Sequence, residues 1–188
     1  MREEDTHQPA LNDKKSPMAS APMRYRPDGE VDWGNMWDNF CALAKDGGPP
    51  HRGDMLYAPL TVDPISPTYQ VVVEEIVRGI GEVSGLLAEA GPPGWVKVSC
   101  ESVAMAEWLS DNINQENVQA KQEGLYLLVP AGERFSLKGE IKNVITAVAK
   151  TSHYWHNHLP IEVKRTLAAQ ARFGQIANWL RKQLGRTG

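Results

Sequence analysis

The chain has 188 residues, 41% of them hydrophobic, and its 20 basic and 23 acidic side chains give a net charge of -3. That size and balance suit one globular domain with extensions and exclude the clustered basic surface of a nucleic-acid binder. No apolar run approaches the roughly 18 residues of a membrane span, the N-terminus lacks the apolar core of an export signal, and two cysteines make no disulfide framework, so the expected compartment is the cytoplasm.

Residues 1–30 are polar and carry Pro9, Pro17, Pro22 and Pro27. They read as a disordered tail closed by a Pro27-Asp28-Gly29 turn. A single α/β domain is expected over 31–188. Its first element is a short helix capped by Asp32. Trp33, Met36, Trp37, Phe40 and Leu43 recur at helical spacing on one face. So bulky a face must press on the domain's own sheet or on a partner, and Trp33, Trp37 and Phe40 are the candidate interface residues. Gly47 and Gly48 end the helix, and Pro49-Pro50 forbid its continuation. The next loop offers His51 and Arg52 as donors to an anionic ligand.

Residues 55–60 form a short apolar run with the character of a buried strand. A turn through Asp63 follows, and Ser66-Pro67 starts a helix expected to reach about residue 89. Its apolar stripe is Tyr69, Val72, Val73, Ile76, Ile80, Val83 and Leu87. Gly79, Gly81 and Gly85 inside it point either to close packing or to a broken helix, since each costs about 1 kcal/mol against alanine. Residues 95–100 alternate as a half-buried strand. Ser102 caps a helix to about residue 114, and a hairpin follows with arms at 118–121 and 125–129 joined by Glu123-Gly124. A helix from about 138 runs towards Trp155. Pro160 breaks it and opens a last helix burying Val163, Leu167, Ala171, Ile176 and Leu180, with a phase slip near Gly174. These two helices make a C-terminal arm over 138–185.

The expected fold class is α+β. It is a two-layer α/β sandwich whose four-stranded mixed sheet runs β-α-β-α-β-β over a core of residues 55–130, with an N-terminal helix and two C-terminal helices added. The stretch WVKVSCESVAMAEWLSDNINQENVQAKQEGLYLLV, with the strand, Asp-containing turn and Pro-started helix before it, resembles the TusA/SirA-like sulfur-carrier domains over residues 55–129. In that family a Cys-Pro-x-Pro motif at the start of the first helix carries the sulfur. Here the matching residues are Ser66-Pro67-Thr68-Tyr69. A serine cannot form a persulfide, so the resemblance implies the scaffold without its reactive group.

Three functional expectations follow. The first is a non-catalytic binding or adaptor protein that takes a protein partner, a second copy of itself, or a small ligand near His51, Arg52, Asp63 and Ser66. The second is a sulfur relay through Cys41 or Cys100. The third is a metal-dependent enzyme or cofactor binder, with zinc or another transition metal held by His153, His156 and His158. No complete nucleophile, phosphate-loop or paired-carboxylate motif appears, which leans the reading away from an enzyme.

Overall fold

The computed structural model describes residues 23–37 and 54–184, without the side chains of 180 and 182–184. Tyr25 bridges Val31 in antiparallel fashion around a turn at residues 27–29. The turn forms where Pro27-Asp28-Gly29 places it, and Gly29 holds the positive φ of 89° that the reversal needs. Residues 33–37 are helical and are called α1. Then come α2 (Pro67–Ser84), β1 (Ala88–Ala90), β2 (Trp95–Ser99), α3 (Val103–Gln115), β3 (Lys121–Glu123) and β4 (Tyr126–Pro130). A π-helical turn (Leu137–Ile141) leads into α4 (Lys142–Asn157), and α5 (Ile161–Leu184) closes the order.

The sheet has four strands in the order β1-β2-β4-β3. The α+β class and the two-layer sandwich stand, but every strand pair is antiparallel, not mixed. Two features explain the change. The run at 55–60 adds no strand and makes only one parallel bridge, Leu56 to Val118. Pro59 has no N–H to continue a ladder, and Leu60 is fully exposed. The fourth strand is β1, in a stretch expected to be helical. Helix α2 stops at Ser84 because Gly85 turns into the left-handed region at φ 70° and returns its N–H to the Gly81 carbonyl at 3.0 Å. The released chain pairs with β2, and Leu87, expected in the core, is exposed.

The sheet's inner face presents Val96, Val98, Leu127 and Val129, all buried. Helices α2 and α3 pack on it, and α4 lies against both helices. The outer face shields itself. Lys97 pairs with Glu89 at 2.7 Å and sits over Tyr126, and Lys121 sits over Trp95. Leu128, on the same face, keeps only 2% of its surface. Cation–π contacts of this kind let lysine stems cover apolar area while the ammonium stays wet.

Two polar clamps fix the elements in place. The Tyr69 hydroxyl accepts the buried Gly94 N–H at 2.9 Å, tying the start of α2 to the turn before β2. Asn114 at the end of α3 both accepts from and donates to the backbone of Ala120, at 3.1 and 3.0 Å, and so sets the entry to β3. Among the described residues no helix is long and apolar enough to cross a membrane.

Candidate binding surfaces

The aromatic face of α1 turns inward. Trp33 has no exposed surface, and Met36 and Trp37 are buried. Trp33 and Trp37 are therefore core residues rather than interface anchors. The physical reason lies in Gly79 of α2. A Cβ there would fall 3.1 Å from the Trp33 indole nitrogen and 2.9 Å from Ile145 Cγ1 of α4. The missing side chain lets three helices close on one another, and the indole fills the junction. Phe40, Cys41, His51 and Arg52 lie outside the described residues.

Asp63 and Ser66 build a turn. The Asp63 carbonyl accepts Ser66 N–H and its carboxylate accepts Ile65 N–H, both at 3.1 Å, while Glu133 accepts Asp63 N–H at 3.1 Å. Ser66 occupies the N-cap position of α2, but its hydroxyl makes no capping bond. The turn orders these residues for the backbone, with one carboxylate oxygen of Asp63 accepting within it.

The three histidines at the end of α4 do not converge. His153 and His158 bring their Nε2 atoms to 3.3 Å, and Asn157 lies 3.2 Å from His153 Nδ1. His156 turns the other way, with Nδ1 4.0 Å from Glu101. Helical spacing makes His153 and His156 neighbours, yet the ring that meets His153 is that of His158, one residue past the helix end. Among the described residues no three His, Cys, Asp or Glu side chains form a metal-sized group, so the three-ligand centre is corrected to a histidine pair. Around the pair runs a band of rings: Trp37 edge-on to His153, Tyr154 beside His158, and Trp108 stacked on Tyr154 at 5.9 Å.

Cys100 is 8% exposed. Burial pushes its thiol up to about 11; the Leu127 backbone opposes the shift and Glu101 adds to it. A relay cysteine needs the reverse, a lowered pKa and access, so the structure does not equip Cys100 for sulfur transfer.

Two surfaces remain that sequence reading did not single out. One is a groove of about 560 Å³ between residues 29–31, α2 and the 135–141 segment. Its floor is Val71, Val72, Phe135, Leu137 and Ile141. At its polar end Arg78 binds Glu75 at 2.7 Å, Glu82 at 2.6 Å and the Val31 carbonyl at 3.0 Å. Arg26 adds a 2.8 Å pair to Glu82, so the N-terminal hook is fastened to α2 by ions. The apolar spacing of α2 hinted at this groove, because Val71 breaks the buried stripe and faces out.

The other surface is α5. Leu167 and Ala168 pack on the core and Ala171 is buried. Beyond Ala171 the helix leaves the core: Phe173, Ile176 and Trp179 are 72%, 55% and 58% exposed. Val163 and Ile176, expected to be buried, are exposed, and the side chain of Leu180 lies outside the described residues. The helix outruns the described body it packs on, so its apolar period continues where no described residue buries it.

No protein-family model matches the chain, and no curated protein matches it either.

Proposed function

We propose that this chain is a non-catalytic binding protein, a cytoplasmic adaptor that engages a protein partner through the exposed stripe of α5. The observation that carries the reading is the set of Phe173, Ile176 and Trp179, each more than half exposed, beyond the buried Ala171. Contiguous exposed aromatic and aliphatic side chains mark interaction sites more often than scattered ones do, and tryptophan is the residue most enriched among binding hot spots. Arg165 and Arg172 flank the stripe and are exposed.

The order β2, α3, β3, β4 over residues 95–130 is what supports a TusA/SirA-like scaffold beneath the adaptor. Ser66 in place of the carrier cysteine, together with the buried and hard-to-ionise Cys100, favours binding over sulfur transfer. Fold alone does not assign an activity, so the reading rests on the stripe and not on the scaffold.

The test is intact-complex mass measurement on the full chain purified natively from its own cells. The wild type should carry a second protein chain. Phe173→Ser with Trp179→Ser should leave a single folded chain with unchanged circular dichroism. A wild type that is a single bare chain would contradict the proposal.

A further inference from the structure

The α5 stripe and the α2 groove are complementary in both charge and polarity. At the groove Glu30, Glu74 and Glu75 stand against Arg78 as the lining cation. Arg78 is already held by Glu75, Glu82 and the Val31 carbonyl. Glu74 is exposed and has no cationic partner among the described residues. The rim is therefore acidic, and the floor beside it is apolar, with Val71 of α2 64% exposed.

On α5, positions 165, 172, 176 and 179 are separated by seven, four and three residues and so lie along one side of the helix. Arg165 and Arg172 are exposed there, with no acidic partner among the described residues, next to Ile176 and Trp179, and Phe173 borders the same side. A basic helix with an aromatic ridge meets an acidic, apolar-floored groove. The groove's volume, about 560 Å³, has the size of a pocket that accepts a few large side chains. Among the described residues α5 packs on α3 and the stripe stays open, so a groove that takes the stripe would be one on another molecule.

We infer that the α2 groove receives the α5 stripe of a second copy of this chain. Phe173 and Trp179 fill the floor against Val71, Phe135 and Leu137, while Arg172 meets Glu74. The contact joins two different surfaces, and two copies exchanging stripes reciprocally close it into a dimer. The inference rests on the adaptor reading of α5 and names its partner. Rim charges of opposite sign also predict that association weakens with salt.

The test is sedimentation of the full chain across a concentration series, alone and in mixtures. The wild type should reach a dimer by about 100 µM, an ordinary strength for a small exposed contact. Val71→Asp in the groove, and separately Phe173→Ser with Trp179→Ser in the stripe, should each weaken self-association by about 10-fold or more, as hot-spot losses do. Mixing the two variants should give a heterodimer tighter than either variant's homodimer but weaker than the wild type, because the mixed pair keeps one intact groove–stripe contact. Glu74→Arg should weaken the dimer, and Arg172→Glu in the same chain should restore it. A monomeric wild type, or a mixture that fails to reassociate, would overturn self-docking. In that event a natively purified complex with another protein, lost in the stripe variant, would leave the adaptor reading intact; its persistence in that variant would remove both.

Discussion

The indole N–H of Trp33 donates to Glu75 at 2.8 Å, 42 residues along the chain. The same carboxylate holds Arg78 through both its oxygens, at 2.7 and 3.0 Å. One buried aromatic and one ion network thereby fix α1 to α2. Trp33→Phe keeps most of the packing but loses a hydrogen bond to a charged acceptor. It should cost about 1.5–3 kcal/mol. Trp33→Ala should cost about 3–5 kcal/mol, the range for a deleted buried aromatic ring. Urea denaturation of both variants measures the two terms: an unchanged Trp33→Phe would contradict the role given to the hydrogen bond, and equal losses would contradict the role given to the ring's packing.

Gly79 should not tolerate a side chain, although it sits in a helix. Helix propensity alone would make Gly79→Ala stabilising by about 1 kcal/mol. The added Cβ would fall within 2.9 Å of Ile145 Cγ1 and 3.1 Å of the Trp33 nitrogen. Overpacking of this kind costs about 1–3 kcal/mol, so the net change should be destabilising. Gly81→Ala, where a Cβ meets nothing within 4 Å, should be neutral or stabilising. The pair of melting temperatures decides whether Gly79 marks a packing contact.

Cys100 should react slowly with alkylating reagents in the native protein at neutral pH and quickly after denaturation. Its thiol is lifted from an ordinary 9.0 to about 11, chiefly by burial. A folded-state pKa above the unfolded one gives stability that is fully present below pH 9.0 and is lost as the pH rises through about 11. The loss attributable to this thiol is on the order of 2 kcal/mol. Comparing urea midpoints of the wild type and Cys100→Ala between pH 8 and 11 isolates it. Parallel pH curves would contradict the burial effect.

The histidine pair should hold divalent metal only weakly, because it supplies two imidazoles where a structural zinc site uses four ligands. Adding zinc should raise the melting temperature modestly in the wild type and not in His158→Ala, while His156→Ala should behave as the wild type. A large stabilisation abolished by His156→Ala would restore the three-histidine centre.

Much of the fold could be read from residue order. The strand at 95–100, the Ser102-capped helix and the second hairpin arm all form within a residue or two of where alternation and capping placed them. Ser102 accepts the Met105 N–H at 3.1 Å as its cap signal implied. The errors arose where local preference and tertiary context disagreed. Ala88, Glu89 and Ala90 favour helix, yet the left-handed turn at Gly85 delivers them to the edge of β2. The bulk of Trp33 and Trp37 left the domain's own body and a partner both open, and nothing in spacing alone could show that Gly79 opens a place for an indole inside the same chain. The exposed end of α5 was hidden for the opposite reason. Its periodicity continues past Ala171, and periodicity does not report where the body beneath a helix stops.

The most direct test of the adaptor reading is a photoreactive amino acid placed at Trp179 in the full chain, expressed in its own cells and irradiated. The same label at Leu60, which is fully exposed and lies in the loop before α2, is the control. The account predicts a discrete cross-linked band from position 179, holding a second protein chain, and none from position 60. Equal, diffuse or absent cross-linking at the two positions would contradict it.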